Sequence, residues 1–368
     1  MNAMITQADI PESAVTARYW EKLPDGKLLC TLCPRACKLQ EGQRGLCFVR
    51  ARLNDEMILM TYGRSSGFAI DPIEKKPLNH FLPGTPILSF GTAGCNLTCK
   101  FCQNWDISKS KAMDRLMDIA TPKMIAQAAK QTGCRSVAYT YNDPVIFLEY
   151  AVDIAKECHQ LGIKNVAVTA GYINPEARIE FFERMDAVNL DIKAFTPEFY
   201  KSLCSADIEN VKETAIYLAN KPDTWLEITT LLIPDENDGI EEITEFCSWY
   251  KQALGVNVPL HFTAFHPDYK MQDKDRTPLA TLQRARKIAL DHGINYVYCG
   301  NVHDQTSATT YCSSCKSPLI ARDWHQILGW NIGQGGFCTN CGTQLDGLFE
   351  HEHGSWGRRR QKIRFKQR

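Results

Sequence analysis

Between residues 85 and 300, short apolar runs alternate with longer amphipathic segments. Seven of the runs have the length and composition of buried strands: residues 87–90, 137–141, 166–169, 188–192, 226–233, 260–265 and 296–298. Residues 145–161, 240–254 and 278–292 place apolar side chains at helical spacing. Strands that alternate with helices in this way form a parallel sheet with helical crossovers. The pattern therefore predicts an α/β fold built on a full or partial (β/α) barrel.

Polar residues follow each of these predicted strands. Three cysteines come after the first strand, and the polar segments after the other six are residues 139–144, 169–174, 191–193, 229–238, 265–267 and 300–303. In a (β/α) barrel the chemistry lies at the carboxyl ends of the strands. Polar residues at all seven strand ends are hard to explain as packing, so we expect a single site at that end of the barrel.

The cysteines after the first strand lie in residues 95–102, Cys-Asn-Leu-Thr-Cys-Lys-Phe-Cys. A cubane iron–sulfur cluster normally takes four thiolates. Cys95, Cys99 and Cys102 supply only three, which would leave one iron open, and an open position is typical of a catalytic metal site. A zinc site or unrelated loop cysteines are the alternatives.

Two further groups of cysteines flank the predicted barrel. The C-terminal group has the two C-x2-C pairs of a zinc ribbon, a closed structural site that rubredoxin-like iron could also occupy: Cys312, Cys315, Cys338 and Cys341. The N-terminal group fits zinc or a second iron–sulfur cluster, and the sequence does not choose between them: Cys30, Cys33, Cys37 and Cys47. Sixteen cysteines arranged mainly in such clusters indicate metal sites in a reducing cytoplasm rather than disulfides.

The cysteine groups also divide the chain. We expect an N-terminal cysteine-rich module (1–84), the barrel (85–304), a zinc-ribbon-like module (305–350) and a basic tail (351–368). Seven of the last eleven residues are basic, which we interpret as a disordered, solvated end.

Composition excludes several classes of protein. The chain has 368 residues, 44% of them hydrophobic and 23% charged, which is an ordinary globular balance. Its formal net charge is zero, so no overall field attracts nucleic acid or an anionic membrane. No run approaches the roughly 18 apolar residues of a membrane span, and the first ten residues do not have the pattern of a secretion signal.

Three segments carry a resemblance to a known family: residues 71–77 (Asp-Pro-Ile-Glu-Lys-Lys-Pro), 94–105 (Gly-Cys-Asn-Leu-Thr-Cys-Lys-Phe-Cys-Gln-Asn-Trp) and 139–144 (Tyr-Thr-Tyr-Asn-Asp-Pro). The cysteine motif resembles that of the radical S-adenosylmethionine superfamily. Together the segments look like the radical enzyme of the AmmeMemoRadiSam system, which is similar to pyruvate formate-lyase activating enzymes. The resemblance covers about residues 30 to 300 and implies a barrel of the radical S-adenosylmethionine type.

The resemblance also implies roles for individual residues. Cys95, Cys99 and Cys102 would ligate a 4Fe–4S cluster whose open iron binds S-adenosylmethionine. Asn142 and Asp143 would meet the amino group of that cofactor. The chain departs from the family at two positions, since Asp143 stands where Glu is expected and Ala170 where Asn is usual.

The fourth predicted strand carries a further match, because Asp191 and Lys193 form an Asp-x-Lys motif that approaches the cofactor in activating enzymes. Side chains two residues apart on a strand share a face, so Asn189, Asp191 and Lys193 should face the barrel lumen. Phe101 or Trp105 could stack near the adenine, although each also fits ordinary packing.

The leading interpretation is an enzyme that reductively cleaves S-adenosylmethionine to a 5′-deoxyadenosyl radical, which abstracts hydrogen from an unidentified protein or small molecule. A glycyl-radical enzyme activating enzyme is the first alternative. A non-catalytic, metal-bearing nucleic-acid-binding protein is the second, suggested by the ribbon and the basic tail. The resemblance implies an electron donor such as flavodoxin or ferredoxin, and Memo-like and Amme-like partners.

Overall fold

The central element of the computed structural model, which describes residues 4–109 and 118–365, is a ten-stranded sheet. Seven of its strands run parallel in chain order: Pro86–Gly91, Ser136–Tyr139, Lys164–Thr169, Ala187–Asp191, Trp225–Leu232, Leu260–Ala264 and Val297–Gly300. These strands, called the first to the seventh parallel strand below, confirm all seven predicted strands. Within the described residues the seventh strand pairs only with the sixth, so the barrel is partial rather than closed.

Three short or antiparallel strands complete the sheet beside the first parallel strand. Arg64–Pro72 pairs antiparallel with it, and Asp118–Ile119 and Gln361–Lys362 pair with Arg64–Pro72. Residues 64–72, which the sequence placed in the N-terminal module, are thus part of the barrel sheet. The basic tail was expected to be disordered, but here it adds a strand to the same sheet.

Helices cover the outer face of the sheet. The α-helices in the described part of the chain are Trp105–Ser108, Pro122–Gln131, Leu148–Gln160, Pro175–Phe182, Pro197–Phe199, Ile208–Ala219, Ile240–Ala253, Leu279–Asp291 and Gln305–Ala308. Short 3-10 turns occupy Gln7–Asp9, Ile73–Lys75 and Pro144–Phe147, and a π-helical turn occupies Tyr200–Cys204. Local signals explain several starts: Thr121, for example, accepts a hydrogen bond from the Met124 backbone, and Pro122 fills the first helical position, where no N–H is needed.

The two faces of the parallel strands pack against different partners. On the outer face, residues such as Val188 and Leu190 belong to the large core under the helices. On the inner face, Ile87, Ala138, Val166 and Ala187 pack against Ile73, Leu78, Phe81 and Leu82. The segment 73–82 therefore fills the lumen, and the site must lie beyond it, at the carboxyl ends of the strands.

Small sheets precede and follow the barrel in the sequence. The N-terminal module contains two three-stranded sheets, formed by Val15–Thr16, Arg50–Leu53 and Glu56–Leu59 and by Trp20–Lys22, Leu28–Cys30 and Lys38–Leu39. The C-terminal module contains Thr310–Tyr311, Pro318–Asp323 and Gln326–Trp330 in one sheet and Ile332–Gly333 with Phe337–Cys338 in another. No helix among the described residues is long and apolar enough to cross a membrane.

Candidate active site

The cysteine loop leaves the first parallel strand and turns at Gly94. This glycine has φ +80°, and a Cβ there would lie 1.9 Å from the Cys47 carbonyl oxygen, so only glycine fits. The far side of the loop is held by the π-helical turn, since the backbone N–H groups of Thr98 and Lys100 donate to carbonyls of that turn at 3.1 and 2.9 Å. The loop is thus fixed by backbone contacts on both sides.

Cys95, Cys99 and Cys102 line one cavity of about 370 Å³ at the carboxyl ends of the parallel strands. The five other predicted site residues of this region also line the cavity: Phe101, Asn142, Asp143, Asp191 and Lys193. A volume of this size is within the range of small-molecule sites. The structure therefore brings together residues that lie nearly 100 positions apart in the chain.

The three thiols have different electrostatic surroundings. Burial raises the pKa of Cys95 to about 12, and the nearby Asp143 carboxylate adds to the effect. Burial also raises the pKa of Cys102, although Ser108 opposes the shift with a hydrogen bond. A hydrogen bond from the buried Cys204 thiol instead lowers the pKa of Cys99. This contact was not predictable from sequence, because Cys204 stands alone in the chain.

Asn142 holds the cysteine loop rather than pointing a free amide into the cavity. Its Nδ2 donates to the Gly94 carbonyl at 2.8 Å and to the Thr92 hydroxyl at 3.1 Å, and its Oδ1 accepts from the Thr92 N–H at 3.0 Å. A side chain at Gly91 would collide with that Oδ1 at 2.6 Å. Asn142 therefore explains why the strand before the motif ends in glycine.

The Asp143 carboxylate is likewise hydrogen-bonded to residues at the ends of the parallel strands. Its carboxylate accepts hydrogen bonds from the Val145 N–H at 3.1 Å, the Thr169 hydroxyl at 2.9 Å and the Ala170 N–H at 2.9 Å. Burial nevertheless raises the pKa of Asp143, because the three donors only partly offset the loss of water. Asp143 thus joins the ends of the second and third parallel strands.

Asp191 and Lys193 form an ion pair at the end of the fourth parallel strand, with Nζ and Oδ2 2.5 Å apart. Burial alone would lower the pKa of Lys193, but Asp191 and Cys99 outweigh it and raise that pKa. Asn189 also faces inward, as expected, and donates to the Pro77 carbonyl and the Thr229 hydroxyl. The pair gives the cavity one adjacent carboxylate and ammonium group.

The two aromatic candidates occupy different places. Phe101 is 4% exposed, lines the cavity and packs against Phe199 with ring centroids 5.6 Å apart. Trp105 is 45% exposed, stacks on Tyr269 at 5.9 Å and donates to Asp268. Of the two, only Phe101 lines the cavity.

The segment 71–77 supplies cavity residues to which the sequence had assigned no role. Lys75, Lys76 and Pro77 line the cavity, and both lysines pair with the fully buried Asp71, at 3.2 and 2.7 Å. Burial lowers the pKa of Lys76 to about 8, against the attraction of Asp71. The sequence signal that could have identified these cavity residues is the pair of adjacent lysines that follows Asp71.

A second cavity of about 340 Å³ continues from the first. The two share Lys75, Pro77, Thr263 and Asn301 in their walls. The remaining wall includes four cationic or imidazole side chains from the C-terminal module and the tail: Arg322, His325, Arg358 and Arg360. Burial lowers the pKa of His325 to about 4, so its ring is neutral at pH 7 and the positive charge comes from arginine and lysine.

The C-terminal cysteines form a compact set that can bind a metal ion. All four sulfurs lie within 4.8 Å of one another, with Cys312–Cys341 and Cys315–Cys338 at 3.6 and 3.7 Å. Four thiolates tetrahedrally placed at about 2.3 Å from zinc would be separated by about 3.8 Å. The set therefore has the size of a single-ion site. The N-terminal cysteines, in contrast, surround a small void of their own.

The donor set in the main cavity fits a cluster with one open iron. Among the residues that the structure describes, Cys95, Cys99 and Cys102 are the only cysteines in its wall, and the buried Nε2 of Gln103 has no hydrogen-bond partner. The cavity continues beyond the cysteines past a carboxylate and an ammonium group. Cys95, Cys99 and Cys102 would hold the cluster. When bound, cluster and cofactor supply one-electron cleavage chemistry, and the chain contributes a fixed loop, counter-charges and shelter from water.

Comparison with known proteins agrees with this geometry. Residues 90–247 match the model of the radical SAM superfamily. An uncharacterised protein of Methanocaldococcus jannaschii, MJ0808, is 39% identical over 331 residues, which is 90% of this chain and 98% of that protein.

Two named relatives are more distant. The 4-hydroxyphenylacetate decarboxylase activating enzyme of Clostridioides difficile is 22% identical over 55% of this chain and 70% of its own length. The pyruvate formate-lyase-activating enzyme of Clostridium pasteurianum is 23% identical over 49% of this chain and 80% of its own length. The matched region includes the cysteine loop and most of the cavity-bearing strands, and the chain is an enzyme that belongs to the radical S-adenosylmethionine superfamily.

Proposed function

We propose that this enzyme cleaves S-adenosylmethionine reductively and uses the resulting 5′-deoxyadenosyl radical to abstract hydrogen from a small anionic substrate. The observation that carries the proposal is the convergence of the three cysteines, Asp191 and Lys193 on one cavity. The paired carboxylate and ammonium suit a cofactor that carries an amino group and a carboxylate of its own. Flavodoxin or ferredoxin would supply the electron.

The second cavity supports the anionic character of the substrate. Lys75, Arg358 and Arg360 lie in its wall, and Asp71 stands near two of them, 3.2 Å from Lys75 and 3.7 Å from Arg360. Arg322 adds a further charge opposite Glu74, whose pKa burial raises to about 7. The cations thus outnumber the carboxylates, which favours a phosphate or carboxylate group on the substrate.

The Glu-Lys-Lys-Pro segment supports assignment to an AmmeMemoRadiSam-type system, in which Memo-like and Amme-like proteins would act with this enzyme. An activating enzyme for a glycyl-radical protein is the second candidate, favoured by the names of the two distant relatives. Such an enzyme must admit a loop of another protein. The tail and the C-terminal module form part of the cavity wall, which favours a small molecule instead.

The proposal is tested by anaerobic reconstitution of the protein with iron and sulfide. With a low-potential reductant, it should convert S-adenosylmethionine to 5′-deoxyadenosine and methionine. Cys102→Ala should abolish the reaction. Cys204→Ala removes a buried thiol that contacts Cys99, and this variant should retain activity. Full turnover by Cys102→Ala would refute the assignment.

The substrate class needs a second experiment. Fractions of a cell extract separated by anion exchange should be added to the enzyme, and deuterium from a labelled extract should be followed into 5′-deoxyadenosine. We expect label transfer from a retained, anionic small-molecule fraction. Transfer from a protein fraction alone would support the activating-enzyme candidate.

A further inference from the structure

The four N-terminal cysteines line a common void. Cys30 and Cys33 are buried, Cys37 and Cys47 are half-buried, and all four are free thiols. Their backbone forms tight turns, since the Cys30 N–H donates to the Cys37 carbonyl at 2.9 Å and Ala36 adopts φ 45°. Four thiols directed at one void form a ligand set for which nothing else in the fold accounts.

The spacing of these sulfurs differs from that of a single-ion site. Within residues 4–109 and 118–365, only the C-terminal cysteines bring three or more ligand atoms within 4.8 Å of one another. The N-terminal sulfurs are more widely spaced, and the void between them holds about 10 Å³, enough for the centre of a water-sized sphere. Tetrahedral zinc leaves no such void, because its thiolates lie about 3.8 Å apart.

The three cysteines of the catalytic loop provide an internal comparison. The sulfurs of Cys95, Cys99 and Cys102 do not all lie within 4.8 Å of one another either, as expected for ligands of a group larger than one ion. The chain therefore has one compact cysteine set and two expanded ones. The N-terminal set resembles that of the catalytic loop and not the ribbon.

The surroundings of the void suit a buried anionic cluster. Its wall contains the apolar side chains of Leu32, Leu39 and Ile146, together with two guanidinium groups. Arg50 is already paired with Glu149 through two contacts of 2.6 Å. Arg35 donates to backbone carbonyls and has no carboxylate partner among the described residues, so its charge can offset that of the thiolates.

The void borders the loop that carries Cys95, Cys99 and Cys102. Asn96 is in its wall, whereas the preceding residue, Cys95, is in the wall of the main cavity. Arg35 donates to the Asn96 carbonyl at 2.7 Å, and the Cys47 carbonyl fills the space beside Gly94. Two consecutive residues of one loop, Cys95 and Asn96, therefore line the two sites.

We infer that Cys30, Cys33, Cys37 and Cys47 hold a second, fully ligated iron–sulfur cluster that passes electrons to the catalytic one. A low-potential one-electron donor of the ferredoxin or flavodoxin class is oxidised by one electron and reduces the second cluster. The second cluster returns to its oxidised state as the catalytic cluster is reduced. The role of donor and acceptor rests on the proposed function, but the presence of the cluster does not.

The decisive test uses the full-length protein with the triple substitution Cys95→Ala, Cys99→Ala and Cys102→Ala. After anaerobic reconstitution, this variant should retain iron, sulfide and an iron–sulfur electron paramagnetic resonance signal. Added S-adenosylmethionine should leave the signal unchanged, because no iron is open. A variant that holds zinc and no iron at the N-terminal site would overturn the inference.

Wild-type protein gives an answer that does not depend on the folding of a variant. Its iron content should exceed the four iron atoms per chain of a single cubane. Its zinc content should be about one ion per chain. Cys312→Ser is the matched control and should lose zinc while keeping all the iron. Four irons and two zinc ions per wild-type chain would contradict the second cluster.

The relay is tested separately with Cys33→Ser. Cleavage of S-adenosylmethionine driven by reduced flavodoxin should fall at least ten-fold per catalytic cluster. Cleavage driven by dithionite should fall less, because a small reductant can reach the catalytic cluster directly. Equal losses with both reductants would refute the relay while leaving the cluster itself to the metal analysis.

Discussion

The side-chain amide of Asn142 donates a hydrogen bond to the Gly94 carbonyl at 2.8 Å. This contact connects the end of the second parallel strand to the turn that precedes Cys95. A residue that the family resemblance assigned to the cofactor is thus, in this structure, bonded to the loop that carries the proposed cluster ligands. Its effect on the cofactor would be exerted through the position of that loop.

Asn142→Ala should therefore weaken cluster retention. The substitution removes three hydrogen bonds and leaves the buried Thr92 N–H without a partner, which costs about 1–3 kcal/mol. We expect iron content after gel filtration to fall at least two-fold. Asn189→Ala is the control, since Asn189 is a buried asparagine of the same sheet that bonds Pro77 and Thr229 instead. Equal iron in wild type and Asn142→Ala would exclude this role.

Asp191→Ala should weaken cofactor binding without loss of iron. Asp191 lines the cavity but is not a proposed ligand, and its removal leaves Lys193 without its counter-charge. A ten-fold rise in the dissociation constant corresponds to about 1.4 kcal/mol, and calorimetry under argon would measure it. Asp186→Ala breaks another Asp–Lys pair, at the opposite end of the fourth parallel strand, and should leave affinity unchanged. Similar effects of the two substitutions would mean that Asp191 acts only on stability.

Loss of the proposed C-terminal zinc site should lower stability more than it lowers catalytic activity. Serine at Cys312 and Cys338 should abolish zinc binding and lower the melting temperature, because a closed site contributes folding energy. Cleavage of S-adenosylmethionine per cluster should persist, since these cysteines lie outside both cavities. Loss of cleavage in a variant with a full catalytic cluster would show that the module takes part in catalysis.

Stability should fall in mild acid because of His80. This buried ring contacts the Asp346 carbonyl and the Tyr298 hydroxyl, and burial lowers its pKa to about 4. The unfolded chain, with a pKa near the ordinary value of about 6.5, binds the proton first, so stability is lost as pH falls from about 6.5 toward 4. Between pH 7.5 and pH 5 the loss should reach about 2 kcal/mol.

The measurement is urea denaturation of wild type and His80→Gln at both pH values. The glutamine variant should be less stable at neutral pH but should lack this part of the pH dependence. Parallel pH profiles for the two proteins would exclude His80 as the titrating group.

Alternation along single strands was predictable from sequence. On the fourth parallel strand, Asn189 faces inward, whereas Val188 and Leu190 face outward, as an alternation of period two predicted. Burial on one face fixes the register of a strand. All seven parallel strands follow from the same reasoning. The convergence of the cysteine loop with Asp191 and Lys193 follows from the rule for strand ends.

Contacts between distant parts of the chain were not predictable in this way. The His80 ring bonds the Asp346 carbonyl 266 positions away, and Gly84 approaches Gly354 so closely that a Cβ would lie 2.3 Å from its carbonyl oxygen. Neither segment has a periodic pattern. The basic residues of the tail suggested solvation, yet Phe365 packs on Phe68 at 4.4 Å and Gln361 pairs with Ile70. Local composition carries no information about such partners.

The pairing of Gln361–Lys362 with Arg64–Pro72 has a consequence for biosynthesis. The two strands are separated by about 290 residues, and a ribosome that adds about 5–20 residues per second needs roughly 15 to 60 s to span them. Until residues 361 and 362 are made, Arg64–Pro72 lacks this partner strand, and Arg358 and Arg360 are missing from the wall of the second cavity. The wall of the second cavity is therefore completed only after residue 360 has been synthesised.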